Sequence, residues 1–339
     1  MIDTSAGNDS PGSASLSYHG GNLDAARACF PAAPQPWLDL STGINGLPYP
    51  MPAISAAAWQ RLPLQADITR LEQIAASVYG ASDPGIIVSA PGTQALIQLL
   101  PSVLNARAIG IVGFTYPEHA RVWRASGAAV RHLQPGEPAS GCDAVVVVNP
   151  NNPDGRLASV EDVLALADQG TTLIVDEAFM DAIRPGQSLI PHLPKAHAIV
   201  LRSFGKIYGL AGLRLGFAAA SPDLAPRLRQ ALGPWAISGA AVEAGSRALA
   251  DAAWRARAVG DLETAAQRLD TLLHAAGFSI LGGTPLFRLA SHARAGAIFE
   301  QLGQAGILVR PFPHHPHWLR FGIPMQEPAW LRLAAALQN

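Results

Sequence analysis

Cysteine is scarce in this sequence. The 339 residues include two cysteines, Cys29 and Cys142, which lie far apart and lack the spacing of metal ligands. A structural disulfide or zinc site is therefore not expected, and two such thiols suit a reducing cytoplasm. No apolar stretch is long enough to cross a membrane, and the chain begins without the apolar core of a signal peptide. We therefore expect a cytoplasmic protein without a membrane partner.

Charged residues are also few, and neither sign dominates. They make up 14% of the chain, and 24 basic residues face 25 acidic ones, which gives a formal net charge of −1. Nucleic-acid binders usually carry a basic excess or a basic stripe, so no nucleic-acid partner is expected. Because 49% of the residues are hydrophobic, the chain can build sizeable cores, and its length allows two domains.

Short apolar runs alternate with helix-length segments between residues about 65 and 225. The runs that predict buried strands are 86–88, 109–112, 144–148, 173–175 and 198–201. Segments such as 93–104 and 160–169 between them predict helices. This pattern indicates an α/β fold, in which a mostly parallel central sheet lies between helices and ligands bind beyond the carboxyl ends of the strands.

The changes in pattern also divide the chain into domains. Residues 1–15 are small and polar and are expected to be disordered. Residues 16–50 are expected to form an N-terminal arm that packs with a smaller domain, and 51–225 the large, cofactor-binding domain. Residues 226–339 are expected to form the smaller C-terminal α+β domain, which ends in a helix at 329–337.

The segment 203–216 carries the central chemical signal. It follows a buried strand and contains Ser203, Lys206 and Arg214 among several glycines. An amine that is held at a strand end and partly desolvated is more readily deprotonated, as imine formation near neutral pH requires. Arg214 and Ser203 supply a cation and a hydroxyl for a phosphate. Taken alone, the segment suits an ordinary surface lysine beside a loop arginine about as well.

Two polar residues follow neighbouring apolar strands. Asp176 directly follows the run 173–175, where an unpartnered buried carboxylate would be costly, so a cationic partner is expected. A protonated ring nitrogen of a heterocyclic cofactor is such a partner; the alternative is a strand-end Asp176 that caps the next helix. Asn152 lies in the turn 149–155 and has an amide for a ring hydroxyl, although plain turn chemistry alone explains it better.

Two further segments offer ligand contacts. Gly92 and Thr93 open a helix after the strand 86–88, where backbone N–H groups and the helix dipole favour a phosphate. A glycine-bearing helix start is weak evidence by itself. Tyr116 follows the next strand and offers an aromatic face to a planar cofactor, unless it is a core aromatic.

The order of these residues resembles the fold-type-I, class I/II aminotransferase superfamily, over nearly the whole chain from about Tyr18 to Arg320. The resemblance implies pyridoxal 5′-phosphate (PLP) as cofactor, with Lys206 bound to it as a Schiff base and Asp176 paired with its pyridine nitrogen. Asn152 would bond the ring hydroxyl and Tyr116 would stack on the ring. The residues that would hold the cofactor phosphate are Gly92, Thr93, Ser203 and Arg214.

The resemblance also bears on the surroundings of the cofactor. His119 lies where the superfamily can place a histidine beside the aspartate, and a satisfied loop histidine is an equal alternative. Phe179 stands where many members have a tyrosine that donates to the ring hydroxyl. The segment 61–63 lacks the tyrosine that many members lend to the phosphate of the neighbouring subunit. Members generally form homodimers, so a homodimer is expected.

Within the superfamily, the sequence is similar to the L-threonine-O-3-phosphate decarboxylases of cobalamin biosynthesis, among which Phe179 is usual. The segments that carry this similarity are 19–23, 38–45, 92–96 and 176–181. It implies decarboxylation of a phosphorylated amino acid, giving (R)-1-amino-2-propanol O-2-phosphate. The residues that would bind this substrate are His19, Ser41, Thr42, Asn45 and Arg320, although the N-terminal ones suit a purely structural arm equally well.

Two other functions fit the same cofactor residues. Histidinol-phosphate-type aminotransferases also bind phosphorylated amino compounds, but there the α-proton leaves rather than the carboxylate. PLP-binding regulators on this fold usually carry a DNA-binding domain, for which the chain has neither the length nor a basic helix pair. His314, His315 and His317 invite a metal interpretation, but prolines interrupt them and no acid or cysteine stands at ligand spacing, so no metal is expected.

Overall fold

The computed structural model describes residues 19–167, 170–183, 187–195 and 197–338. The segment 1–15, for which the sequence predicts disorder, lies outside these residues. The chain divides into two compact units. The larger unit is Pro48–Gly260, and the smaller unit joins the residues up to Leu47 with those from Asp261 onward.

The elements of the described residues are numbered here in chain order. The α-helices are α1 (Leu23–Cys29), α2 (Ala56–Gln60), α3 (Gln65–Tyr79), α4 (Thr93–Leu104), α5 (Pro117–Ala125), α6 (Val160–Leu164), α7 (Phe204–Ile207), α8 (Leu224–Leu232), α9 (Gly239–Ala250), α10 (Ala252–Ala275), α11 (Ala295–Gln304) and α12 (Glu327–Gln338). The strands are β1 (Leu38–Asp39), β2 (Ile87–Ala90), β3 (Ala108–Val112), β4 (Ala129–Leu133), β5 (Ala144–Val148), β6 (Thr172–Asp176), β7 (Ala198–Ser203), β8 (Gly216–Ala220), β9 (Ser279–Thr284), β10 (Phe287–Ser291), β11 (Ile307–Leu308), β12 (Arg310–Pro311) and β13 (Trp318–Gly322). Among these helices, none is both long and apolar enough to span a membrane.

The larger unit is built on a seven-stranded sheet with the order β2-β8-β7-β6-β5-β3-β4. The strands from β7 through β4 in this order run parallel to their neighbours. Strand β8 is antiparallel to both β2 and β7. Helix α4 has the bounds that the sequence predicts. The predicted α/β fold with a mostly parallel central sheet is therefore confirmed.

The central strands are buried because their sequences are almost entirely apolar. Strand β5 consists of one alanine and four valines, and all five residues are buried. A run of this kind fits a strand that is covered on both faces. On one face, Leu100 of α4, Trp123 of α5 and Leu228 of α8 share a core with strand residues such as Ile111 and Ile174. The sheet thus forms a rigid base for the loops at its edges.

The smaller unit contains an antiparallel sheet with the order β12-β13-β10-β9. Strand β1 of the N-terminal segment pairs in parallel with β11. Apolar residues from the helices and strands, including Leu269, Phe321, Trp330 and Leu333, form one core. The N-terminal segment is therefore an integral part of this unit.

The observed units differ from the sequence-based domains in where residues 226–260 belong. The sequence pattern places them in the smaller domain, whereas they cluster with the larger unit. The reason is the packing of α9 on the segment around α2. The hydroxyl of Ser55 donates to Glu243 at 2.6 Å, and a Cβ atom at Gly239 would lie 2.5 Å from the carbonyl oxygen of Ala58. Such contacts join segments that are nearly 190 residues apart.

Candidate active site

Three adjacent parallel strands end together at one edge of the large sheet. The last residue of β5, Val148, is paired with Asp176 at the end of β6, and Asp176 is paired with Leu201 of β7. The backbone N–H of Asn149 donates to the carbonyl oxygen of Asp176 at 2.9 Å. The turn 149–155, Asp176 and the start of α7 therefore leave the sheet side by side, where α/β sheets bind ligands.

The Asp176 carboxylate is buried and held from two sides. Its Oδ1 atom accepts from the backbone N–H of Ala178 at 3.0 Å, and its Oδ2 atom lies 2.9 Å from Nε2 of His119. Because a carboxylate can only accept, Nε2 of His119 carries the proton of this bond. His119 is fully buried, and its Nδ1 atom has no hydrogen-bond partner among the described residues. His119 thus fixes the orientation of the Asp176 carboxylate.

Lys206 reaches the same edge from the neighbouring strand. Strand β7 ends at Ser203, and the short helix α7 begins at the next residue. The Nζ atom of Lys206 lies 5.4 Å from the centre of the Phe179 ring. Phe179 is buried and stands three residues after Asp176, so it brings an apolar wall to the lysine. The structure therefore brings Lys206 and Asp176 to the ends of adjacent strands. Phe179, three residues after Asp176, has its ring next to the Lys206 amine.

The predicted phosphate-binding residues also converge in the larger unit. Gly92, at the N-cap of α4, has a φ of 83°, and a Cβ atom there would lie 2.9 Å from the guanidinium of Arg214. A Cβ atom at Gly216 would lie 2.7 Å from the backbone nitrogen of Thr93. Gly216 is also the register partner of Ser203. The first turn of α4, the Arg214 cation and the Ser203 strand end are thus close together, and backbone N–H groups and a cation suit a phosphate dianion.

Tyr116 and the turn that contains Asn152 are held next to these elements by hydrogen bonds. The Tyr116 hydroxyl donates to Oε1 of Gln94 at 3.2 Å, and its ring lies edge to face with the His119 imidazole at 6.1 Å between centres. Asn152 is buried in its turn, and the preceding Asn151 donates to the Phe114 carbonyl at 3.0 Å. The turn is therefore attached to the loop that carries Tyr116.

A buried charge cluster lies directly behind this edge. Arg202, the residue before Ser203, has its Nε atom 3.1 Å from Oε2 of Glu177 and an Nη atom 2.5 Å from Oδ1 of Asp181. Burial raises the pKa of both carboxyl groups, and Arg202 opposes that rise. Burial alone would lower the pKa of Arg202, but Asp181 and Glu177 raise it overall, so the guanidinium stays protonated. The cluster therefore pairs Glu177, which follows Asp176, with Arg202, which precedes Ser203.

The smaller unit brings together several of the residues predicted to bind substrate. The Ser41 hydroxyl donates to Asp39 at 2.6 Å and accepts from the backbone N–H of Gly21 at 2.7 Å. The guanidinium of Arg320, which is buried, donates to the Ser41 carbonyl at 2.7 Å. The segment after His19 therefore packs against Ser41 and its neighbour Thr42, whose side chain would lie 3.4 Å from a Cβ atom at Gly21. The side chain of Asn45 accepts from the backbone N–H of Leu47 at 2.9 Å and so closes a turn.

The sequence analysis missed Arg310, Gln94 and Glu118. Arg310 is buried on β12 and is the register partner of Arg320 on β13, so two cations share one face of the small sheet. A signal was present, because Arg310 directly follows the apolar run 307–309. The side chain of Gln94 donates to the buried carboxylate of Glu118 at 2.8 Å.

The histidines near residue 315 have surroundings of another kind. The ring of His315 stacks on Trp318 with 3.8 Å between centres. Across the described ranges, no group of three or more His, Cys, Asp or Glu residues is arranged to hold a metal ion. His315 therefore packs as a flat ring against an aromatic neighbour.

Comparison with known proteins gives consistent relatives. Residues 65–337 match the family described as aminotransferase class I and II. The chain is 42% identical over 327 residues to a threonine-phosphate decarboxylase from a Sinorhizobium species, across 94% of this chain and 97% of the relative. A threonine-phosphate decarboxylase from Pseudomonas aeruginosa is 40% identical over 326 residues, across 94% and 96% of the two chains. A solved histidinol-phosphate aminotransferase from Sinorhizobium meliloti, in complex with pyridoxal-5′-phosphate, has the same fold, with a TM-score of 0.80 at 21% identity over 98% of this chain and 97% of that chain.

The residues of the larger unit fit such a cofactor. A buried carboxylate with one oxygen held by His119 suits a ring nitrogen that carries a proton, and the N-terminus of α4 with Arg214 suits a phosphate. The cofactor of this chain is pyridoxal phosphate. Because the family match spans most of the sequence and both decarboxylases align along nearly all of it, the chain belongs to the aminotransferase class I and II family.

Proposed function

We propose that this protein is a PLP-dependent decarboxylase of L-threonine O-3-phosphate. In the reaction, the bond between Cα and the carboxylate carbon breaks, CO2 leaves, and a proton takes its place on Cα. The product is (R)-1-amino-2-propanol O-2-phosphate, as the resemblance to enzymes of cobalamin biosynthesis implies. The observation that carries the proposal is the identity of 42% and 40% to two threonine-phosphate decarboxylases over 94% of the chain.

The chemistry supplied by bound PLP is an electron sink for the pair that departing CO2 leaves at Cα. Asp176 is proposed to hold a proton on the ring nitrogen, which keeps the ring cationic. The hydrogen bond from Nε2 of His119 to Oδ2 of Asp176 orients that carboxylate. Asn152 is proposed to donate to the ring hydroxyl. Phe179 has no such donor and offers only its apolar ring to Lys206.

Lys206 is proposed to have two tasks. Its amine would hold the cofactor, and its Nζ atom would deliver the proton that replaces CO2 on Cα. Short helix α7 sets the position of Lys206 directly after the rigid strand β7. A proton donor that is fixed in this way reduces the loss of entropy in the proton transfer.

The other proposed roles concern anionic groups. Gly92, Thr93, Ser203 and Arg214 are proposed to hold the cofactor phosphate. Arg320 is proposed to bind the α-carboxylate of the substrate, and His19, Ser41, Thr42 and Asn45 are proposed to bind the substrate near its phosphate. Arg310 is added to this set because it lies in register with Arg320, and the proposed substrate carries two anionic groups.

The alternative is transamination of a phosphorylated amino compound such as histidinol phosphate. The fold of a histidinol-phosphate aminotransferase matches this chain over nearly its whole length. The same Lys206 and Asp176 would serve both reactions. Reaction specificity depends on which bond at Cα stands perpendicular to the cofactor ring, and therefore on how the substrate carboxylate is held.

Product analysis tests the proposal and separates it from the alternative. The PLP-loaded protein is incubated with L-threonine O-3-phosphate and no 2-oxo acid, and CO2 and amine are measured. We expect one CO2 for each amine formed, and none from Lys206→Ala. Transamination of histidinol phosphate with 2-oxoglutarate, without CO2 release from threonine phosphate, would overturn the proposal in favour of the alternative.

We also propose that the protein works as a cytoplasmic homodimer. Trp59, Leu62 and Leu64 are large apolar side chains, exposed and close together in the sequence of the larger unit. A group of large exposed apolar side chains on one short segment is more typical of a surface that a protein partner covers than a single one would be. Light scattering with size-exclusion chromatography should give twice the chain mass of 35.4 kDa. A mass of one chain at micromolar concentration would contradict the dimer.

A further inference from the structure

A directed chain of hydrogen bonds ends at the hydroxyl of Tyr116. Tyr116 donates to Oε1 of Gln94 at 3.2 Å, and Nε2 of Gln94 donates to Oε2 of Glu118 at 2.8 Å. Glu118 is buried and accepts two further bonds from Arg121, at 2.8 Å from Nε and 2.5 Å from an Nη atom. The four side chains connect the first turn of α4 with the first turn of α5.

The chemistry of the Glu118 carboxylate sets the direction of the whole chain. A carboxylate that is paired with an arginine can only accept, so Gln94 must present its NH2 group to Glu118. The amide oxygen of Gln94 then necessarily faces Tyr116. Because that oxygen can only accept, the single hydroxyl proton of Tyr116 is directed to Gln94. The ion pair between Glu118 and Arg121 thus sets the orientation of the Tyr116 hydroxyl through Gln94.

The hydrogen bonds join helices α4 and α5, and both helices carry proposed cofactor contacts. Gln94 stands two residues after Gly92, at the phosphate-binding turn of α4. Tyr116 is the N-cap of α5, and His119 on the same helix contacts Asp176. A shift of Gln94 would therefore move the acceptor that holds the Tyr116 hydroxyl.

We propose that Gln94 and Glu118 are positioning residues, which hold the Tyr116 ring in the plane that stacks on PLP. The inference rests on the proposed function in one respect, that Tyr116 faces the cofactor ring. Gln94 and Glu118 act through Tyr116 and need no contact with the reacting atoms. Their contribution should therefore depend on the Tyr116 hydroxyl.

A double-mutant cycle on cofactor binding tests this dependence. Gln94→Met preserves size and removes both hydrogen bonds of the amide. We expect Gln94→Met to weaken PLP binding about fivefold, the effect of losing one neutral hydrogen bond. In the Tyr116→Phe background the same substitution should cost less than about twofold, because the bond is already lost. Glu118→Gln, which frees the amide of Gln94 to turn, should follow the same pattern.

The visible circular dichroism of bound PLP supplies a readout that mere loss of stability would not change. It reports the asymmetric surroundings of the ring, and it should change in Gln94→Met and Glu118→Gln at full saturation with PLP. Gln98→Met is the matched control, because Gln98 is exposed one turn further along α4. The control should keep the wild-type dichroism and PLP affinity.

The outcomes separate this inference from the proposed function. If Gln94→Met weakens PLP binding equally with and without the Tyr116 hydroxyl, or leaves binding and dichroism unchanged, the positioning role is refuted while the proposed function stands. If the wild-type protein itself fails to bind PLP, the proposed function falls first. Coupling of more than about twofold between the two sites, with a changed dichroism, supports the role.

Discussion

Arg202→Met removes the cation from the buried cluster behind the active-site edge. The Arg202 side chain is 5% exposed, and its partners Glu177 and Asp181 are 0% and 8% exposed. Its guanidinium also lies 4.8 Å from the centre of the Tyr79 ring. Methionine fills much of the same volume, so the main effect is to leave two carboxylates in an apolar interior without their shared counter-ion.

The size of the effect follows from what remains around each carboxylate. Glu177 keeps hydrogen bonds from the backbone N–H of Leu189 and the hydroxyl of Ser188, each at 2.7 Å. Asp181 keeps the weaker attraction of Arg255. Removing one partner of a buried ion pair costs about 3–5 kcal/mol, and these residual contacts place Arg202→Met near the middle, at about 4 kcal/mol at neutral pH.

The loss should depend on pH with a definite sign. Burial already raises the pKa of Glu177 and Asp181 above their ordinary values of 4.5 and 3.8, and removing Arg202 raises both further. At a pH between the ordinary pKa values and the raised pKa values of the folded state, the folded protein binds more protons than the unfolded chain. The free energy of unfolding therefore falls as the pH rises through this window. The cost of Arg202→Met should therefore be largest at neutral pH and smaller at about pH 5.

Urea denaturation followed by far-ultraviolet circular dichroism measures this free energy at both pH values. Arg27→Met is the control, because Arg27 makes a single contact with Asp24 on the surface, and such exposed pairs contribute little. A cost for Arg202→Met below about 1 kcal/mol, or one that grows as the pH is lowered, would refute the reasoning.

Three further predictions concern the site itself. His119→Phe removes the donor to the Asp176 carboxylate and should lower kcat for CO2 release about 10- to 100-fold, the range for a hydrogen bond to a charged group; an unchanged kcat would contradict it. Gly92→Ala places a Cβ atom 2.9 Å from the Arg214 guanidinium at a φ of 83°, and PLP titration should show at least about fivefold weaker binding. Arg320→Met should raise KM for threonine phosphate about tenfold or more, the effect of losing a charge-assisted bond, while PLP affinity stays the same; a parallel loss of PLP affinity would count against a substrate role.

Local pattern was sufficient to predict the central strands and the first cofactor helix. The run of β5 is short, has no polar face and is rich in valine, which favours a strand buried on both sides. Helix α4 starts after Gly92 and ends where Asn105 takes a left-handed conformation, and both bounds agree with the sequence. By contrast, β8 is formed by Gly216–Ala220, in which all residues except Phe217 are small. This run carries no clear strand pattern, and the strand depends on β2 and β7 on either side.

The side chains that are proposed to act together come from distant parts of the chain, and this limited the prediction of the site. Lys206, Asp176 and the Gly92 turn could be proposed, because each follows a strand and the carboxyl ends of parallel strands share one edge. The contact between His119 and Asp176 spans 57 residues and depends on how α5 packs, so sequence left it open. Gln94 has no distinguishing pattern, because its role arises only from the separation of 2.8 Å to Glu118.

Locating the lysine that binds the cofactor is the most direct test of the proposed site. The chain contains only two lysines, Lys195 and Lys206, and cleavage after Arg202 places them in different peptides. Borohydride reduction of the PLP-loaded protein fixes the carbon–nitrogen bond, and mass spectrometry then locates it, with Lys195→Arg as the matched control variant. We predict the cofactor mass on the Lys206 peptide in both proteins. Cofactor mass on the Lys195 peptide, or CO2 release retained in Lys206→Ala, would contradict the account.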